Sequence, residues 1–274
     1  MCKIKCENCF HNCKLNSGQT GICRVWKNID NELVCTNYGK LTSLAIDPIE
    51  KKPLKEFYPG SMILSIGSFG CNLRCKFCQN HSISQHADIP YKIVLPEELR
   101  NIAIELRESR NNIGVAYTYN EPLISYPYLY DCMELIHKAG MKNVVVTNGC
   151  ISATVLKSLL PYIDAMNIDL KGFSDDIYNE LQGSLDNVLE NIKLAAKCCH
   201  LELTSLIVPG MNDDIEMMES QAKWIASIDD NIPLHITRYF PQYRMDVPPT
   251  PIEVLYKLSE TAKTYLNKVY LGNV

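Results

Sequence analysis

Apolar residues in this chain fall into short unbroken runs separated by stretches of helical periodicity. Met62-Ile63-Leu64-Ser65-Ile66 is the first such run, ended by Gly67 and Gly70. Similar runs follow at Ile113–Tyr117, Asn143–Thr147, Ala165–Leu170, Leu201–Val208 and Leu234–Tyr239, with a further short strand expected at Val269–Leu271. Between them the apolar positions recur every three or four residues. Pro96-Glu97-Glu98 opens the first helix, with Leu99, Ile102, Ala103 and Leu106 on one face and acids in the first turn, where the helix dipole favours them. Further helices are predicted over 124–139, stopped by Gly140, and over 152–160, 186–199, 213–227 and 251–266.

Strands that are apolar throughout, rather than alternating, belong to a parallel sheet covered by helices. A closed eightfold barrel needs about 250 residues, more than the pattern from residue 62 onward supplies. An open sheet wound on both faces is the other candidate. A partial (β/α)6 TIM-like barrel fits best. Residues 1–35 show neither period and are punctuated by Cys, Gly and Asn, as in a small metal-bound lobe. Residues 36–60, with Asp47-Pro48-Ile49-Glu50-Lys51-Lys52-Pro53, read as a turn-rich linker or surface segment. The expected division is a Cys-rich lobe and linker over 1–58 and the barrel over 59–274.

Composition narrows the function classes. The 274 residues are 46% hydrophobic and 21% charged, which excludes global disorder. Net charge is −4, which argues against a broadly nucleic-acid-binding surface. Residues 1–60 hold nine Lys/Arg against six Asp/Glu, and the remainder 18 against 25, a mild asymmetry. The longest charge-free run, Phe57–Leu73, contains Pro, Gly, Ser and Asn and is no membrane helix. The charged, Cys-rich start MCKIKCENC is not an apolar signal core. Thirteen cysteines, about 5% of the chain, fall short of the ~8–10% of disulfide scaffolds, and nine of them lie in the first 78 residues. Clustered thiols in a chain large enough to bury its own core point to metal chemistry in a reducing, cytoplasmic setting.

The strongest chemical signal is Gly70-Cys71-Asn72-Leu73-Arg74-Cys75-Lys76-Phe77-Cys78-Gln79-Asn80. It follows the first strand directly, at the end of a parallel barrel where active sites form. Three thiols at C-x3-C-x2-C can wrap one cluster, or with a distant ligand one zinc. The next cysteine, Cys132, falls in a predicted helix. A closed four-thiolate site wants a local fourth ligand. Its absence suggests an iron left open for chemistry.

Cys-x3-Cys-x-aromatic-Cys, with Phe77 as the aromatic, resembles the signature of the radical S-adenosylmethionine (SAM) superfamily. The resemblance implies that Cys71, Cys75 and Cys78 hold a [4Fe-4S] cluster whose fourth iron chelates SAM, and that reductive cleavage yields a 5′-deoxyadenosyl radical. The fold it implies is the partial barrel of that superfamily. Phe77 and Asn80 of the motif would lie at the cofactor. Tyr117-Thr118-Tyr119-Asn120-Glu121-Pro122 follows the second strand, where such enzymes bind the SAM amino group, and Glu121 would accept it. Asn148 follows the third strand. Asp169 and Lys171 end the fourth and His235 lies on the sixth, resembling the ribose and carboxylate contacts of pyruvate formate-lyase activating enzyme.

Narrower strings resemble the radical SAM member of the "AmmeMemoRadiSam" system: Ile46-Asp47-Pro48-Ile49-Glu50-Lys51-Lys52-Pro53-Leu54, Asn167-Ile168-Asp169-Leu170-Lys171-Gly172, Val208-Pro209-Gly210-Met211-Asn212-Asp213 and Arg238-Tyr239-Phe240-Pro241. The likeness runs from about residue 6 onward. It implies functional association with Memo-like and AMMECR-type proteins and an electron donor such as flavodoxin or ferredoxin. Relatives continue beyond a string like Tyr270-Leu271-Gly272-Asn273 into a Cys-containing tail, whereas this sequence stops at Val274.

Cys6, Cys9, Cys13 and Cys23 form a second four-thiol set, suited on count to zinc or to a closed iron–sulfur cluster. Three functions compete: an enzyme that cleaves SAM and abstracts hydrogen from an unidentified small-molecule or protein substrate, a glycyl-radical activase, and a non-catalytic zinc or redox-binding protein. The multi-cluster type of activase carries extra cysteines after the core motif, and none stands between Cys78 and Cys132.

Overall fold

A computed structural model describes residues 3–274. Its centre is an eight-stranded sheet: β1 (Ser43–Pro48), β2 (Met62–Gly67), β3 (Asn112–Tyr117), β4 (Lys142–Thr147), β5 (Ala165–Asp169), β6 (His200–Ile207), β7 (Leu234–Arg238) and β8 (Val269–Gly272). Spatial order equals chain order, β2 to β8 are parallel, and β1 pairs antiparallel with β2. The crossovers carry α1 (Pro96–Arg110), α2 (Tyr126–Lys138), α3 (Ala153–Leu159), α4 (Asp175–Glu180), α5 (Leu185–Ala195), α6 (Ile215–Ala226) and α7 (Ile252–Lys263). Six strand–helix units closed by β8 are the expected partial (β/α)6 barrel, left open between β1 and β8.

Side-chain alternation along each strand sorts the residues onto two faces. Leu64, Ile66, Val115, Met166, Ile168 and Leu203 join the helices in the main core. Ile63, Ala116, Val144 and Ala165 form a separate inner cluster that packs on Ile49, Leu54 and Phe57. Residues 36–60 are therefore not a surface linker. They supply edge strand β1 and then a plug that floors the barrel. Ile49 and Leu54 are wholly buried, each contributing about 1.5–3 kcal/mol of hydrophobic stabilisation. Polar contacts pin the plug: Asn167 Nδ2 donates to the Pro53 carbonyl at 2.8 Å, and the Lys55 and Glu56 amides donate to Glu202 at 2.9 and 2.8 Å. Asp47, on β1, takes hydrogen bonds from Lys51, Lys52 and the Tyr119 hydroxyl at 3.3, 2.9 and 2.8 Å.

The N-terminal lobe has strand pairing that its sequence period does not announce. Ile4–Lys5 pairs with Lys14–Leu15, and Trp26–Ile29 with Glu32–Cys35. The second hairpin turns on Asp30 and Asn31, both at positive φ, as a two-residue hairpin loop requires. The lobe sits on the loop after β2. Gly70 has φ +90°, and a Cβ there would lie 2.5 Å from the Cys23 carbonyl oxygen. Trp26 Nε1 donates to the Ile124 carbonyl at 2.8 Å, and the Ser152 amide to Asn8 at 3.0 Å.

Candidate active site

The loop after β2 carries Cys71, Cys75 and Cys78 onto the wall of a cavity of about 240 Å³. Arg74 shapes the loop, its guanidinium donating to the carbonyls of Cys71 (3.0 Å), Leu73 (2.7 Å) and Ile22 of the lobe. Asn72 is fully buried. It donates to the Cys150 carbonyl at 2.6 Å and accepts from Asn148 Nδ2 at 3.0 Å, while its carbonyl meets His11 Nε2 at 2.8 Å.

Donors approach the sulfurs. The Leu73 amide lies 3.4 Å and Asn148 Nδ2 3.6 Å from Cys71 Sγ, and Ser84 Oγ lies 3.2 Å from Cys78 Sγ. Burial pushes the Cys71 thiol well above its usual range, with the Glu121 carboxylate and the neighbouring thiols adding to it. Burial also lifts Cys75, to about 11, against the pull of the Lys171 ammonium. Ionising these thiols in place calls for a strong local positive charge, which bound metal supplies.

Phe77, Asn80, Glu121, Asn148, Asp169 and Lys171 all line the same cavity. Asn80 Nδ2 donates to the Tyr119 carbonyl at 2.7 Å, joining the loop to the end of β3. Glu121 caps the 3-10 turn Pro122–Ser125, accepting the Leu123 amide at 3.0 Å, the Thr147 hydroxyl at 2.7 Å and the Asn148 amide at 2.8 Å. Burial raises its carboxyl to about 7 despite those bonds. Lys171 Nζ lies 2.8 Å from Asp169 Oδ2; burial opposes its charge, but Asp169 and the Cys75 sulfur outweigh that and hold it protonated.

His235 does not share this wall. It lines an adjoining chamber of about 660 Å³, which meets the first cavity at Gln79, Asp169, Lys171 and Leu206. Sequence reading also missed the partner that orients it. Glu202 is wholly buried and receives His235 Nε2 at 2.6 Å and His200 Nε2 at 2.9 Å. Burial would raise this carboxyl, yet hydrogen bonds from both histidines and the two plug amides hold it down at about 2. Tyr119 and Thr147, which flank Asn120-Glu121 and Asn148 in sequence, also stand on the first cavity's wall.

In the lobe, Cys6, Cys9 and Cys23 are buried and Cys13 half-buried. The Cys6 amide donates to the Cys13 carbonyl at 2.8 Å, and a Cβ on Gly21 would lie 3.6 Å from Cys13 Sγ. Burial pushes the Cys6, Cys9 and Cys23 thiols above their usual range, and neighbouring lobe thiols add to the effect. Among the described residues no three His, Cys, Asp or Glu side chains are arranged to hold a single metal ion.

Against known proteins, a model of the Radical SAM superfamily matches residues 65–221, from within β2 to α6. The chain belongs to the radical SAM superfamily. An uncharacterized protein of Methanocaldococcus jannaschii is 42% identical over 99% of this radical SAM chain and 82% of its own. Pyruvate formate-lyase 1-activating enzyme of Escherichia coli is 30% identical over 53% of this chain and 61% of its own, so the match spans less than two thirds of that enzyme. Among solved structures, a radical SAM methyltransferase from Sphaerobacter thermophilus superposes with a TM-score of 0.61 at 14% identity, covering 78% of this chain and 67% of that one. SuiB of Streptococcus suis bound to S-adenosylmethionine gives 0.58 at 15% identity, over 77% and 52%. These superpositions bear on the fold. No described helix is long and apolar enough to cross a membrane.

The donor set fits the group this family implies. Three thiols of one loop face one cavity, and among the described residues no fourth cysteine lines it. That arrangement suits a cluster with one iron free of protein ligands.

Proposed function

We propose that this radical SAM enzyme binds a [4Fe-4S] cluster through Cys71, Cys75 and Cys78 and cleaves SAM reductively to oxidise a separate substrate by hydrogen abstraction. The observation that carries this is the shared wall: three thiols, a buried carboxylate and a Lys–Asp pair line one 240 Å³ cavity at the C-terminal ends of parallel strands. The cluster, when bound, supplies the electron that splits SAM to methionine and a 5′-deoxyadenosyl radical.

The chain's own residues hold and orient. Glu121 offers a buried carboxylate, destabilised as an anion without a cation, to the amino group of SAM. Lys171 offers a charge to the methionine carboxylate, and Asp169 and Asn148 offer polar contacts to the ribose side. The four lobe thiols are a candidate second metal site, zinc or iron–sulfur, against the cluster loop. A low-potential donor such as flavodoxin or ferredoxin, a cytoplasmic location and association with Memo-like and AMMECR-type proteins belong to the same reading.

The test is anaerobic reconstitution with iron and sulfide, then dithionite and SAM. About four irons at the core site and 5′-deoxyadenosine as product are expected. No product from protein with a reduced, SAM-bound cluster overturns the reading. Likeness to activating enzymes favours one narrower alternative, a glycyl-radical activase. An organic-radical EPR signal on co-expression with a glycyl-radical partner would favour it, and hydrogen abstraction from a small molecule would exclude it.

A further inference from the structure

The 660 Å³ chamber beside the cluster cavity lies within the usual range for small-molecule sites, about 300–1,000 Å³. Its wall mixes polar and apolar surface in nearly equal parts and is built from the floor plug, the inner faces of β6 and β7, and β8 at the open edge of the barrel. What marks the chamber out is therefore its particular charged and hydrogen-bonding groups, among them Lys55 and His235.

The charges on that wall are unevenly engaged. Asp169 is taken by Lys171 at 2.8 Å, Glu50 accepts the Gly60 amide at 2.6 Å, and Lys51 lies 3.3 Å from Asp47. Lys55 also lines the chamber, and among the described residues no carboxylate lies within 4.0 Å of its ammonium. Its backbone is held by the hydrogen bond that its N–H donates to the Glu202 carboxylate at 2.9 Å. The charge on offer in the chamber is thus a cation on a pinned segment.

His235 supplies the complementary group. Glu202 already accepts two backbone amides, so it faces the imidazole as an acceptor-only carboxylate. The proton between them therefore sits on His235 Nε2, at 2.6 Å. In the neutral ring Nδ1 is then an acceptor, and among the described residues it has no hydrogen-bond partner. The ring rests against Tyr270, with centroids 5.5 Å apart. One buried carboxylate thus anchors both groups, Lys55 through its backbone and His235 through its side chain.

We propose that the chamber is the substrate site and takes a small polar anion, carboxylate or phosphate, that also carries a hydroxyl or amine: the anionic group meets Lys55 and the donor meets His235 Nδ1. The word substrate rests on the function proposed above; the binding chemistry does not.

Isothermal titration of the anaerobically reconstituted, SAM-loaded protein with inorganic phosphate, malonate and tartronate tests this. Phosphate against malonate distinguishes the two kinds of anion, and tartronate adds one hydroxyl to malonate. At least one anion should bind. Lys55→Met should weaken binding about tenfold or more and Lys55→Arg should keep most of it. Tartronate should bind several-fold tighter than malonate, and His235→Phe should erase that difference. In unmutated protein, saturating malonate or phosphate should slow acetylation of Lys55 several-fold, a readout that needs no variant. No anion binding, binding indifferent to Lys55→Met, or an unprotected Lys55 overturns the assignment. Protein that binds these anions but forms no 5′-deoxyadenosine overturns the proposed function and leaves the chamber assignment standing.

Discussion

Glu202 on β6 grips His235 on β7 at 2.6 Å, and the same carboxylate fastens the floor plug through the amides of Lys55 and Glu56. A single anion without solvent exposure therefore ties two strands and the segment after β1 into one unit.

Stability should report this linkage in acid. The Glu202 carboxyl is held at about 2, below its ordinary value of 4.5, because four donors outweigh burial. A depressed carboxyl contributes stability that is fully present above the unfolded pKa, about 4.3, and is lost as pH falls toward the folded value. Comparing urea unfolding of the wild type and Glu202→Gln from pH 7 to pH 3, the wild type should lose on the order of 2 kcal/mol more than the variant, after allowing for solvent screening. At pH 7, Glu202→Ala should cost about 3–5 kcal/mol, since it strands four donors. Parallel pH profiles would contradict the assignment.

Gly70 should tolerate no side chain. Its φ of +90° disfavours any L-residue, and a Cβ would meet the Cys23 carbonyl at 2.5 Å and Val25 at 2.7 Å. Gly70→Ala should cost at least about 1–3 kcal/mol and loosen the lobe from the cluster loop. Native-state hydrogen exchange should speed up in residues 20–26 more than in α6 or α7.

Asn148 should tune the cluster. Its amide lies 3.6 Å from Cys71 Sγ, and hydrogen bonds to ligand sulfur favour the more electron-rich, reduced state. Asn148→Ala should therefore make the reduction potential more negative, by tens of millivolts, in an EPR-monitored redox titration. An unchanged or more positive potential would argue against that bond.

Much of the architecture was legible because its signals are local. Unbroken apolar runs gave β2 to β8 within a residue or two, and the Cys71–Cys78 spacing pointed to a loop that lines the candidate cavity. Residues 43–57 were misread because prolines and charges look the same on a surface as on a plug. What buries Ile49 and Leu54 is the set Ile63, Ala116, Val144 and Ala165 from four other strands, which no local pattern reveals. The Asp30-Asn31 turn was a readable hairpin cue obscured by the cysteines around it. Glu202 was missed for the opposite reason. An acid inside an apolar strand stands out only when its partners, His200, His235 and two amides, are known. His235, read from sequence with the cofactor contacts, lines the neighbouring chamber, which shares Asp169 and Lys171 with the first cavity.

The central claim is that Cys71, Cys75 and Cys78 leave one iron open to SAM. EPR of the dithionite-reduced protein, recorded with and without SAM, addresses it directly. A cluster signal whose g-values change on adding SAM, with the SAM-sensitive component lost in Cys75→Ala, is the predicted result. A reduced cluster signal indifferent to saturating SAM would contradict it.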